Sequence, residues 1–260
     1  SKPPLLGPSS VKTAADTPAK GIFYIQDVNQ STQPIKPGTI KSIRVNEMLL
    51  QPTQRSPRNG VVTFEILKRV IGTVPVEADG SAIFEAPAGI PIQFQALDEN
   101  GMAVLTMRTI TQLQPGEFAS CVGCHEPRTS TPVVQVSEPA KTPRTLTPPE
   151  GPQYEGGLSF AKTVQPVLDR HCVRCHGGEK GIAKGLDLSG GWTWAFNISY
   201  ETLVKHKMVG YLNCHNSSVH TSEILPPRTI GSGAAPLAEI LIRKHPEVSR
   251  DQRDLILAWM

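Results

Sequence analysis

The chain has 260 residues, enough for two modest domains, and a formal net charge of +3. That balance, without any clustered Lys/Arg stripe, argues against a nucleic-acid partner. Only 38% of the residues are hydrophobic, against 24 Pro and 22 Gly; such a loop-rich chain needs apolar material beyond its own side chains, and no run is long and apolar enough to form a transmembrane segment.

Residues 1–20 are rich in Pro, Ser and Lys and read as a linker or arm. Strand signals follow at Gly21–Ile25, Ile40–Val45, Val61–Ile66 and Val74–Ala78, where β-branched and aromatic residues cluster or alternate. Asp79-Gly80 predicts a hairpin returning through Ser81–Glu85. A second hairpin is expected between Ile90–Leu97 and Ala103–Arg108, turning at Asp98–Gly101. Short strands at this spacing predict a β-sandwich or small barrel.

Gln112–Glu117 leads directly into Cys121-Val-Gly-Cys124-His125. A second pentapeptide of the same form, Cys172-Val-Arg-Cys175-His176, lies about fifty residues on. With five Cys and seven His in the chain, on the order of 0.003 such motifs would arise by chance. The pattern is that of covalent c-type haem attachment. Two thiols add across the two vinyl groups of one haem, and the adjacent imidazole ligates the iron. A four-thiolate zinc site or a redox disulfide would also use Cys-x-x-Cys, yet neither requires a histidine after each pair. Two covalently bound haem c groups are therefore expected.

Residues 126–157 are Pro/Thr-rich with little apolar periodicity and read as a connector. From 158 to 260 the pattern turns helical. Ser159 can cap a helix from Phe160 to about Asp169, with Phe160, Val164, Val167 and Leu168 on one face. Helices are predicted again at Pro236–Lys244 and after Ser249, where Ser249 and Gln252 have capping-box spacing. The last helix carries Leu255, Ile256, Leu257 and Trp259. The fold class expected is α+β: a β-sandwich-like domain over 21–125 carrying one haem, then a small helical cytochrome c domain over 158–260.

The second axial ligand decides what such an iron does. No histidine occurs in residues 1–120, so the β domain offers no imidazole; Met48, Met102, Met107, Tyr or Lys are the alternatives. Many helical cytochromes c place a ligating Met in a Met-Pro-Pro loop. The comparable loop is Leu225-Pro226-Pro227, without sulfur, and Met208 and Met260 are the methionines of this half. His245, after the Pro236–Lys244 helix and before Pro246, is the first choice as distal ligand of the second haem; His220 is the second. His171 is read as buttressing its own haem packet and His206 as a surface residue. Cys214-His215 lacks a first thiol, since position 211 is Tyr, and is not a third motif.

The stretches Val74–Pro87, Phe94–Gly101, Met107-Arg108, Gln114–Glu117 and Cys121–Glu126 resemble the middle domain of proteins related to the hydrazine synthase alpha subunit. Pro226–Ser232 and Lys244–Val248 resemble the cytochrome domain that follows it in those proteins. The resemblance implies a β-rich domain holding one haem and a helical domain holding another with two histidine ligands, the distal one at His245. Family members commonly carry an N-terminal propeller as well. In hydrazine synthase, a tyrosine four residues beyond the first motif's histidine ligates the iron and that histidine binds zinc. The matching residue is Thr129, a departure that argues against hydrazine chemistry.

The function expected is a dihaem c-type cytochrome module of a longer exported protein, periplasmic or extracellular. It would pass single electrons to or from an attached domain or a redox partner protein, with no catalytic side chain. The alternative is a haem enzyme whose first iron is open to peroxide or a small nitrogen compound, with Glu126 as the nearby acid–base candidate.

Overall fold

In the computed structural model the described residues are 19–49, 67–107, 109–124, 142–150, 157–194, 196–210 and 225–260. They form a β-rich lobe followed by a helical lobe, an α+β arrangement. Among the described residues, no helix is long and apolar enough to cross a membrane.

Among the described residues, seven strands build the first lobe: β1 (Lys20–Ile25), β2 (Ser42–Leu49), β3 (Leu67–Pro75), β4 (Ala82–Pro87), β5 (Ile92–Leu97), β6 (Ala103–Thr106) and β7 (Phe118–Cys121). One sheet has the order β4-β1-β7 and the other β3-β2-β5-β6. Alternation explains how they share a core. Ile43 and Val45 of β2 and Ile92 and Ala96 of β5 point inward, meeting Phe23, Ile25 and Phe84 of the opposite sheet. Phe23 and Phe84 each meet the Phe94 ring edge-on, at 5.0 and 5.7 Å between centroids.

Two strand expectations need correction, and one strand was not expected. Asp79-Gly80 does turn, with Gly80 at φ +84° and its N–H donating to the Glu77 carbonyl. However, the strands on either side lie in opposite sheets, because β4 pairs with β1 while β3 pairs with β2. The dipeptide makes a crossover, not a hairpin. β3 also begins at Leu67, earlier than expected; Lys68 and Arg69 are tolerated because β3 is a sheet edge. β7 had no alternating signal, yet it runs parallel to β1 with Cys121 opposite Ile25. The β5–β6 hairpin is as expected, turning at Gly101 with φ +77°. Val61–Ile66 lies outside the described residues.

Residues 142–150 lie against the β lobe: Thr147 bridges Thr73, Arg144 bridges Phe84, and Leu146 is buried in the core.

In the second lobe a π-turn, Phe160–Val164, continues as α1 (Gln165–His171), then α2 (Val173–His176), α3 (Gly178–Ala183), α4 (Ile198–Lys205), a 3₁₀ turn (Gly231–Ala234), α5 (Pro236–Lys244) and α6 (Arg250–Trp259). Phe160, Val164, Val167 and Leu168 are buried together with Leu203, Leu237, Leu241 and Ile256. Ser159 does not cap with its side chain; instead its carbonyl accepts from Lys162 and Thr163 as the π-turn starts. The capping box at α6 is formed on both sides: Gln252 N–H donates to Ser249 Oγ at 3.3 Å and Ser249 N–H to Gln252 Oε1 at 3.2 Å.

Candidate haem attachment sites

The first motif is mounted on the β core. β7 delivers Cys121 beside the end of β1, where its carbonyl accepts from Gln26 N–H at 2.9 Å. The Val122 carbonyl accepts from Asp27 N–H at 3.1 Å, and Cys124 N–H donates to the Gln30 carbonyl at 3.0 Å. The loop between the thiols is thus zipped to residues 26–30, which Asp27 stiffens by accepting from Asn29 N–H and Nδ2. Gly123 is required by space: a Cβ there would lie 2.1 Å from the Gln30 carbonyl oxygen. Both Cys121 and Cys124 pack against the core. Burial, with Cys121 and Asp27 adding, pushes the Cys124 thiol up to about 12. His125, Glu126 and Thr129 lie outside the described residues.

The second motif is helical. His176 N–H donates to the Cys172 carbonyl at 2.8 Å, and Cys172 N–H to that of Leu168 at 2.8 Å. Cys172, Cys175 and His176 are therefore spaced i, i+3, i+4 and share a face. Cys172 is buried in the helical core while Cys175 is exposed. Burial, reinforced by the Glu247 carboxylate, pushes the Cys172 thiol up to about 11. Gly177 lets the chain leave the helix, since a Cβ there would meet Val173 Cγ1 at 2.5 Å. The returning segment is pinned back by Leu188 N–H to the His176 carbonyl and Gly178 N–H to Asp187 Oδ1. His176 Nδ1 is buried and has no hydrogen-bond partner. A buried ring nitrogen left this way is costly.

The two pairs do not combine. They belong to different cores, and among the described residues no three His, Cys, Asp or Glu side chains converge as a metal would need. A four-thiolate zinc site is excluded by that separation. The raised Cys124 and Cys172 thiols also run opposite to the lowered values of redox-active Cys-x-x-Cys pairs. Each pair offers two thiols for covalent addition, and the second offers an adjacent imidazole.

His245 caps the C-terminal end of α5. Its Nδ1 is 2.7 Å from Glu247 Oε1, a contact that holds the Glu247 carboxyl below its usual range. Val248, next to the His245–Glu247 turn, shares a core with Cys172, and the Glu247 carboxylate helps to raise that thiol. With Nδ1 occupied, Nε2 is the nitrogen left for a metal. Sequence reasoning passed over Glu247, although its spacing of two from His245 was a usable signal.

His171 Nε2 lies 3.1 Å from Gln252 Oε1. Because that oxygen already accepts from Ser249 N–H, His171 must be the donor. His206 is exposed. Met48 is buried in β2, Met102 packs with Ala235, Ala238 and Leu257, and Met208 packs on the helical core. Leu225 and Pro226 line a small crevice with Val104, Leu105 and Thr106 of the β lobe. His220, Cys214 and His215 lie outside the described residues.

Residues 38–126 match the family model of the hydrazine synthase alpha subunit middle domain. The chain carries a hydrazine synthase alpha subunit-related domain. A curated relative, hydrazine synthase subunit alpha of Kuenenia stuttgartiensis, is 36% identical over 72 residues, which are 28% of this chain and 9% of the relative. The solved structure of Kuenenia stuttgartiensis hydrazine synthase superposes on 93% of this chain at 18% identity and a TM-score of 0.59. That likeness is one of fold and extends across both lobes. The superposition takes in 42% of the solved chain, so this chain spans less than half the length of the protein it resembles.

Proposed function

We propose that this chain is a dihaem c-type cytochrome module of an exported, periplasmic or extracellular protein, passing single electrons to or from an attached domain or a redox partner. The relation to hydrazine synthase alpha subunit supports a redox-related role. The observation that carries the reading is the second motif: two thiols and an imidazole on one helical face, one thiol rooted in the core and one open to solvent. That donor set fits covalent haem, and the unpartnered His176 Nδ1 is consistent with a ring held by something other than protein.

A bound haem would supply a one-electron couple and apolar surface. The chain's residues do the rest. Cys121 and Cys124 would anchor one group to the β core, and Cys172 and Cys175 the other to the helical core. His125 and His176 would each hold the iron of their own motif, and His245, steadied by Glu247, would be a further ligand at the second. No general base or nucleophile takes part.

A second reading is favoured by one observation. Residues 1–120 hold no histidine, and Met48 and Met102 are already packed elsewhere. Unless Met107, a Tyr or a Lys fills it, the first iron would then have an open position for peroxide or a small nitrogen compound.

Low-temperature EPR of the oxidised holoprotein, with haem counted per chain, tests both. Two low-spin ferric signals are expected for the electron-transfer module, and His245→Met should alter one of them. A high-spin signal integrating to one haem per chain moves the assignment to a small-molecule enzyme. A chain matured with zinc and no haem overturns both readings.

A further inference from the structure

The loop that in a helical cytochrome would carry a distal methionine is committed elsewhere. Arg228 has φ +59° and is one of two non-glycine residues in the left-handed region among the described residues, the other being Lys207. Such a conformation persists when its surroundings impose it. Here they do. Arg228 N–H donates to the Val104 carbonyl at 2.8 Å, and its Nη2 lies 2.7 Å from Asp98 Oδ2. Asp98 in turn builds the β5–β6 hairpin tip, its Oδ1 accepting from Asn100 and Met102 N–H. Four residues on, fully buried Ser232 accepts from Ala103 N–H at 2.9 Å. Gly233 is packed so closely that a Cβ would lie 1.8 Å from the Ala103 carbonyl oxygen.

The same hairpin tip is held from a second direction. Arg250 donates to the Glu99 carbonyl at 2.9 Å, and Arg44 of β2 reaches the Leu257 carbonyl at 3.5 Å. Met102 packs on Ala235, Ala238 and Leu257. Two stretches of the helical lobe, 228–233 and 250–257, thus close on one turn of the β lobe. The first also covers the open edge of β6.

We infer that Arg228 and Ser232 are positioning residues that lock the two lobes into a single unit and so fix the separation of the two haem attachment sites. Domains joined by a connector move relative to one another unless an interface prevents it. Tunnelling between two bound groups would depend on their separation, which that motion would vary. The inference rests on the proposed dihaem reading, and its test separates the two.

The test uses the haem-loaded full chain and three variants. Arg228→Gly accepts the backbone angle and deletes the ion pair, Arg228→Lys keeps the charge, and Ser232→Ala leaves Ala103 N–H buried without its acceptor. Scanning calorimetry reads coupling between the lobes, and pulsed-EPR dipolar spectroscopy reads the spread of iron–iron distances. Wild type is expected to unfold in one transition with a narrow distance distribution. Arg228→Gly should retain its haem content and optical spectrum while the transition splits in two and the distribution broadens. Arg228→Lys should restore part of both. Wild-type transitions and distributions in both Arg228→Gly and Ser232→Ala would overturn the inference. A wild-type chain without haem would remove the electron-transfer reading alone, and calorimetry of the same variants would still decide whether the lobes are locked.

Discussion

Under the proposed dihaem reading, replacing Gly123 by Ala should remove one haem and leave the other. The added Cβ would sit 2.1 Å from the Gln30 carbonyl oxygen, 2.8 Å from Gln30 Cβ and 2.9 Å from its carbonyl carbon. Real Cβ atoms do not come within 3.0 Å of such neighbours, so the two backbone segments must part by about 1 Å. The atom displaced is the acceptor for Cys124 N–H, now at 3.0 Å. A shift of that size carries the pair out of hydrogen-bond range.

The lost bond costs about 1 kcal/mol and the overpacking about 1–3 kcal/mol, concentrated at the turn that sets the two thiols side by side. The helical lobe is untouched. Variant and wild type would be matured in the same export-competent host, and haem per chain counted by intact mass and pyridine haemochrome absorbance. The expected count falls from two to one, with the remaining group on the peptide containing Cys172 and Cys175. A variant that still carries two haems at wild-type stability would refute the role assigned to the Gln30–Gly123 contact.

Two further outcomes follow from the helical lobe. Glu247→Gln replaces the carboxylate on His245 Nδ1 with a neutral group, weakening the imidazole as a donor. The potential of one haem should rise in a spectroelectrochemical titration, Glu247→Asp should hold it nearer wild type, and two unmoved potentials would reject His245 as a ligand. Burial raises the Asp254 carboxyl above its ordinary 3.8. The folded chain therefore holds that proton more tightly than the unfolded one, a stabilising contribution present in full below 3.8 and lost as pH rises through the raised value. Asp254→Asn should flatten this part of a denaturation profile taken across the carboxylate range, and an unchanged slope would assign the titration to another group.

Much of this architecture was readable because the signals are local. Ile43 and Val45 alternate with Arg44 and Asn46, so β2 announced one apolar face; the capping box at Ser249 and the turn at Gly101 are set by neighbouring residues alone. What the opposite face of β2 does was hidden. Arg44 is fully buried, its guanidinium lowered to about 10 by loss of solvent, and its partners are Gln95 and the carbonyl of Leu257, 213 positions away. Alternation shows that a face is polar, not that a second lobe covers it. β7 escaped notice because its four residues alternate between exposed and half-buried, leaving no apolar stripe. Asp79-Gly80 specified a turn correctly, but a turn dipeptide carries no information about which sheet receives the next strand. The two Cys-x-x-Cys-His motifs were legible because five consecutive residues hold their pattern. The residues that shape the first one, Gln26, Asp27 and Gln30, were not, since they arrive from the far end of the lobe.

The two lobes solve the same mounting problem with unequal consequences. A helix places thiols and imidazole on one face by its own periodicity, and the helical lobe holds its other ionisable groups nearby: His245 with Glu247, and His171 tied to Gln252. A strand end has no such periodicity. The β lobe must fix Cys121 and Cys124 by borrowing backbone from residues 26–30, and it contributes no imidazole from residues 1–120. Under the proposed reading, His176 and His245 would both hold the second group from within its lobe, which suits a centre that only gains and loses electrons. The described residues of the β lobe supply no imidazole to the first. Any substrate chemistry added by attached domains would therefore be placed at the Cys121–Cys124 end, with the helical lobe as its electron route and the Arg228 clamp holding that route at constant length.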